Sequence, residues 1–382
     1  MPRPRELNGI ADGRLVPTLT NAPTCEHGAR PVQRDGRPLA CTAVRIGLAL
    51  PQFDFSLSSE PPLRYEEVLE VAQHAERAGY ASLWLADHLF FDLAKYGGSA
   101  EPVGALEPIV TLAALAREVP RVRLGTLVLC EALRPAAVLA KALASLDRVS
   151  GGRLDVGLGA GWYEPEYAAI GMQLPSPGVR LERLGETLDI VTRMLAARGE
   201  AVTVSGAHHR VEGARNLPPA LQMPRPPVFV GGKGDRLLRL AVERADGWNT
   251  CWTWTPESYR ERLGVVEREC ERVGRDPSSF WRSLGLYTLV GEDARDLDRR
   301  FEQLRTSAPP GVLDGVTLDA WRQGRLVGTV DEVREQAAGW RALGVETLIA
   351  CPGAAPFHLT RSDQIDLLAS ALDLTGSEQA SG

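Results

Sequence analysis

The sequence predicts an α/β fold: a closed (β/α)8 TIM barrel with insertions after strands 4 and 7. Three observations predict it. Eight short runs are almost continuously apolar, as parallel strands covered on both faces read. The stretches between them carry apolar residues at helical spacing, so strand and helix alternate. The length, 382 residues, accommodates a barrel of roughly 250 residues with extra loops. A doubly wound open sheet is the competing fold, and the strand count favours closure.

The runs, in order, are VRIGLAL (44–50), SLWLA (82–86), RVRLGTLVL (121–129), RLDVGLG (153–159), PVFVG (227–231), GWNTC (247–251), LGLYTLV (284–290) and ETLIA (346–350). After the first, Tyr65, Val68, Leu69, Ala72 and Ala75 predict a helix over 65–79 that Gly79 stops. Leu181, Leu184, Leu188, Val191 and Leu195 predict a second over 181–195. Pro256 suits a first helical position, and Tyr259, Leu263, Val266, Cys270 and Val273 follow it before a Gly274 stop. Thr329 and Glu332 have capping-box spacing ahead of Val333, Ala337 and Trp340. The longest interruptions are 160–226, where TVSGAHHRVEGA reads as a hairpin, and 291–328, a substrate lid or an ordinary insertion. Residues 1–42 lack periodicity and are expected to form a disordered leader. The barrel is expected over 43–375 and a flexible tail over 376–382.

Composition removes several function classes. A formal charge of −6 argues against nucleic-acid binding, which needs clustered positive charge. No run of ~18 apolar residues predicts a membrane span, and the N-terminus has no signal-peptide core. Six scattered cysteines without a C-x-x-C read as reduced thiols in a cytoplasmic protein. Lys95, Lys141 and Lys233 are the only lysines among 43 basic residues. His208 and His209 have no further ligand at metal spacing, so no metal is expected.

Chemistry on such a barrel sits at the C-terminal strand ends. Strand 2 ends in Asp87 and His88, a carboxylate beside an imidazole able to hold a proton near neutral pH. A hydrogen-bonded loop histidine is the plainer alternative. Strand 3 ends in CEALR, placing Glu131 at the mouth to orient a ring or a proton, or simply in solvent. Strand 4 ends in GLGAGWYEPEY, where Gly159 and Gly161 permit close backbone approach. It lacks the third glycine of a dinucleotide fingerprint. Strand 5 ends in GGKGD (231–235) and opens directly into a helix, which predicts an anion site from free N–H groups or else a tight turn. After strand 6, Trp248, Trp252 and Trp254 either wall a planar ligand or pack in the core.

The segments 121–167 and 226–249, with Asp87–His88, resemble the luciferase-like monooxygenase superfamily and its coenzyme F420-dependent oxidoreductase branch. The resemblance runs from about Val44 to Leu372. It implies that Asp87 and His88 lie against a deazaflavin ring and take part in proton transfer. It implies a non-proline cis peptide at Leu127–Val128 behind the ring. It implies a cofactor border at Gly159, Ala160, Gly161 and Trp162, and a phosphate loop at Gly231, Gly232, Lys233, Gly234 and Asp235. Many relatives have Asn-Pro-Tyr-Arg-His-Pro where this chain has EALRPA (131–136), so the Asn and His of that motif are absent here.

The expected function is hydride transfer between F420 and a small organic substrate, with His88 or Glu131 handling the proton. The alternatives are an FMN-dependent monooxygenase using FMNH2 and O2, served by a flavin reductase, and a non-catalytic flavin-binding protein. A homodimer is compatible with this fold, and no interface stripe is visible. Substrate and hydride direction are not encoded legibly.

Overall fold

A computed structural model describes residues 44–375. The expected leader (1–42) and tail (376–382) lie outside the described residues. Eight parallel strands form the barrel: β1 (Arg45–Ala49), β2 (Ser82–Leu85), β3 (Arg123–Thr126), β4 (Leu154–Gly159), β5 (Val228–Gly231), β6 (Gly247–Trp252), β7 (Trp281–Gly291) and β8 (Thr347–Cys351). Each pairs with its neighbours in chain order. The ring closes where Arg45 of β1 meets Thr347 of β8, and no gap opens between β4 and β5, where Val156 meets Val228. This is a closed barrel and not an open doubly wound sheet.

The helices are α1 (Tyr65–Arg77), α2 (Pro108–Glu118), α3 (Ala136–Val149), α4 (Glu164–Ala169), α5 (Pro177–Ala196), α6 (Asp235–Arg244), α7 (Pro256–Val273), α8 (Ala294–Ser307), α9 (Leu318–Trp321), α10 (Val330–Ala342) and α11 (Asp363–Ala371). Local chemistry sets their ends. Thr255 caps α7 through a box with Ser258, Pro256 is its first residue, and Gly274 ends it in the left-handed conformation. Thr329 and Glu332 form the expected box on α10. Ser176 caps α5 one turn earlier than the Leu spacing alone indicates, because Pro177 is a favourable first residue.

Three long connections interrupt the strand–helix alternation. The one after β4 carries α4, α5 and an antiparallel hairpin, Val202–Ser205 with Arg210–Ala214. The one after β7 carries α8, α9 and a short strand, Leu326–Thr329, that pairs with the upper end of β7. The third, after β2, was not marked by the sequence. Phe90–Phe91 pairs with Val103–Gly104 around a 3-10 turn at Ala94–Tyr96. Its strands are two residues long, too short to show a period. The run 121–129 is also not one strand: β3 stops at Thr126, and Leu129–Cys130 resumes against β4.

Two apolar clusters result. One lies between strands and helices. The other fills the barrel, where Trp84, Phe229 and Trp281 meet at ring-centroid distances of 5.1–6.4 Å. That plug closes the barrel interior and leaves chemistry to the strand ends above it.

Candidate active site

The C-terminal strand ends surround a cavity of about 420 Å³, within the range typical of small-molecule sites. Asp87 and His88 both line it. Asp87 is 5% exposed and accepts from three donors: Arg134 Nη1 at 2.7 Å, Arg134 Nη2 at 2.9 Å and the Cys130 amide at 2.8 Å. Arg134, from the EALRPA segment, is itself held by Asp87 and Glu107, which raise its pKa further above the ordinary value against the desolvation penalty. A carboxylate so occupied anchors the loop that carries Arg134.

His88 is differently placed. Its Nδ1 lies 3.1 Å from Glu166 Oε2, and Glu166 also accepts from the Leu89 amide. A carboxylate only accepts, so Nδ1 carries the hydrogen and Nε2 is left for other work. The rings of Phe53, Phe91, Trp162 and Tyr163 surround the imidazole at centroid distances of 4.7–6.0 Å. Glu166 sits in the first turn of α4 and is 4% exposed. Sequence reasoning quoted the segment containing it but gave it no role. An acidic residue facing a histidine from 78 positions away leaves no local signal.

The peptide bond Leu127–Val128 is cis, as the resemblance implies, and both residues line the cavity. A second non-proline cis bond, Cys251–Trp252, was not anticipated. Glu131, expected at the mouth, does not line the cavity. Val128 and Cys130 face it; Leu129 and Glu131 face away, as successive residues of an extended segment must. The Glu131 carboxylate is fully buried against α5, 3.1 Å from Arg183 Nε and 3.6 Å from His209 Nε2 of the hairpin. Burial pushes its pKa up, and Arg183 and His209 pull it partly back. His209, set aside by the sequence reading, is thus engaged in a buried polar cluster.

Gly159, Gly161 and Gly231 line the cavity, and each is also closely approached by a side chain. A Cβ at Gly159 would lie 2.6 Å from Val128 Cγ2, and one at Gly231 would lie 2.7 Å from Val128 Cγ1. They make room for the Val128 side chain, which stands between β4 and β5. Gly161 has φ +71° and a Cβ there would meet Tyr167 Oη at 2.1 Å. Trp162 lines the cavity and is 44% exposed; Ala160 does not line it.

Beyond β5, Gly231, Gly232 and Lys233 line the cavity, whereas Gly234 and Asp235 do not. Asp235 turns to Arg262. Gly234 begins α6 without a side-chain cap, and the space beside it is open. Uncapped amides, an exposed lysine and a carboxylate turned away suit a phosphate. Trp252 lines the cavity with Phe357 and Tyr96. Trp248 does not: it is fully buried, stacks on Tyr259 at 5.3 Å and donates to the Gly232 carbonyl from outside. Among the described residues there is no cluster suited to a metal ion, and no helix is long and apolar enough to cross a membrane.

A family model described as luciferase-like monooxygenase matches residues 44–347. The chain belongs to the luciferase-like monooxygenase family. Membership places it among oxidoreductase enzymes. A Mycobacterium tuberculosis protein provisionally named a coenzyme F420-dependent oxidoreductase is 27% identical over 363 residues, covering 82% of this chain and 96% of that one. Two solved structures share the fold. An F420-dependent secondary alcohol dehydrogenase, solved with an F420–acetone adduct, superposes with a TM-score of 0.70 at 19% identity, over 87% of this chain and 99% of that one. The monooxygenase RslO1 of Streptomyces bottropensis gives 0.68 at 24% identity over the same shares.

Proposed function

We propose that this luciferase-like protein is a coenzyme F420-dependent oxidoreductase that transfers a hydride between the deazaflavin and a small organic substrate. The observation that carries the reading is His88: an imidazole fixed through Nδ1 by Glu166, walled by aromatic rings, with Nε2 free at the cavity. The name of the Mycobacterium tuberculosis relative supports the same branch. When bound, the deazaflavin supplies a carbon centre that accepts or releases hydride.

The protein supplies the rest. The uncapped start of α6, with Gly231, Gly232 and Lys233, would hold the cofactor phosphate. Val128, seated between Gly159 and Gly231, would support the ring. His88 gives or takes the proton that balances hydride movement, at Nε2. Glu166 and the Asp87–Arg134 pair are positioning groups that keep the imidazole aimed. Glu131, sealed behind the wall, takes no part in proton transfer. A homodimer and a cytoplasmic setting accompany this reading.

Paired titrations with F420 and FMN, followed by tryptophan fluorescence, test it, since Trp162 sits at the cavity. Tight F420 binding with weak FMN binding supports the proposal. Preference for FMN transfers the reading to FMNH2 and O2 chemistry with a reductase partner. Binding of neither removes the phosphate assignment at Gly231–Lys233 and the start of α6.

A further inference from the structure

Two side-chain cations stand on the cavity wall without being paired there. The chain has three lysines among 43 basic residues. Two of the three, Lys95 and Lys233, line the cavity, and no arginine does. Lys141 is used elsewhere, donating to the Leu217 carbonyl at 2.6 Å. The two carboxylates at the cavity are already engaged: Asp87 with Arg134 and the Cys130 amide, Glu166 with His88 and the Leu89 amide. Neither cavity lysine has an ion-pair partner among the described residues. Their charge reaches inward. Burial pushes the Cys251 thiol up to about 12, and Lys95 and Lys233 are the groups that pull against it.

The two lysines come from different elements. Lys233 belongs to the loop proposed for the cofactor phosphate. Lys95 belongs to the 3-10 turn after β2, and its Nζ rests 4.1 Å from the centroid of the Trp162 ring. Trp162 also contacts Phe91 and His88 edge-on, at 6.1 and 6.0 Å. The ammonium is therefore held at the rim, directly over the aromatic wall that flanks the proposed proton carrier. A cation on an exposed indole is weakly held and exchanges readily for a carboxylate, which makes the stronger charge-assisted contact.

We propose that Lys95 anchors an anionic group of the substrate, and that the substrate class is an aromatic carboxylate. Its ring lies against Phe91 and Trp162 and its carboxylate meets Lys95. The inference rests on the proposed function only in assigning Lys233 to the cofactor.

The test uses the full chain, with and without F420, and calorimetric titration of naphthoate and its neutral isostere naphthamide. Naphthoate is expected to bind about tenfold more tightly, the range of one charge-assisted hydrogen bond. That preference should shrink as salt is raised. It should vanish in Lys95→Met, persist in Lys95→Arg, and leave F420 affinity unchanged in both. Lys95 is exposed, so unchanged melting temperatures are expected for the variants. Equal binding of the two probes, binding of neither, a preference retained in Lys95→Met, or loss of F420 affinity in Lys95→Met would each overturn the proposal. If F420 fails to bind while Lys95-dependent naphthoate binding persists, the cofactor reading falls and this one stands.

Discussion

Two histidine–carboxylate pairs flank the third strand, and only one meets the cavity. His88 and Glu166 are 3.1 Å apart, at the wall of the pocket. His209 and Glu131 are 3.6 Å apart, behind it, with Arg183 completing the cluster. The residue types are the same and the fates differ. Cys130 and Glu131 are consecutive, and the extended backbone sends Cys130 inward and Glu131 outward. The outward cluster joins the segment after β3 to α5 and to the hairpin. The inward one leaves a nitrogen free in a site walled by aromatic rings. Catalytic potential here is a matter of which face a side chain takes and not of which side chain it is.

The largest expected effect breaks the symmetry outright. His88→Ala should lower turnover by ~10²–10⁴-fold with F420 affinity nearly intact, whereas His209→Ala should leave kcat/KM within a few-fold. Equal losses in steady-state kinetics would erase the distinction between the pairs. A smaller effect probes the carboxylates. Glu166→Gln offers Nδ1 either an oxygen or an amide hydrogen, so the tautomer is no longer fixed, and kcat should fall about tenfold with KM little changed. Glu131→Gln should leave kcat alone.

The smallest effect concerns stability and belongs to the buried pair. Burial raises the Glu131 pKa above its unfolded value despite Arg183 and His209. The folded state therefore holds this proton over an interval where the unfolded chain has lost it. Its contribution to stability is full below the ordinary glutamate value of about 4.3 and is lost as pH rises through the raised folded value. Melting temperatures measured across that interval should show a component that declines with pH in the wild type and is absent in Glu131→Gln. No difference between the two profiles would mean that the cluster titrates as it does in the unfolded chain.

Much of the fold was legible because it depends on local pattern. Thr255, Pro256 and Gly274 mark both ends of α7 by backbone chemistry alone, and the apolar runs at 44–50 and 346–350 carry the two strands that close the ring. The excursion after β2 was not legible, since a two-residue strand has no period and Lys95 and Tyr96 reach the cavity only through that turn. Glu166 escaped for a related reason: its partner is 78 residues away, and nothing beside it announces a histidine. Trp248 and Trp252 lie on the same strand, four residues apart, and should share a face by alternation. Only Trp252 reaches the cavity, while Trp248 stacks on Tyr259.

By itself the sequence determined the order of strands and helices, the strand ends at which chemistry gathers, and the glycine-rich opening of α6. These follow from periodicity, capping and the fixed polarity of a parallel barrel. Tertiary structure alone decided that Asp87 anchors Arg134 while His88 is held by Glu166 through Nδ1, that Glu131 is sealed away, and that Gly159 and Gly231 accommodate Val128. Those outcomes depend on what Arg134, Glu166 and Arg183 bring from distant segments, because a side chain's role is set by the groups that reach it in space.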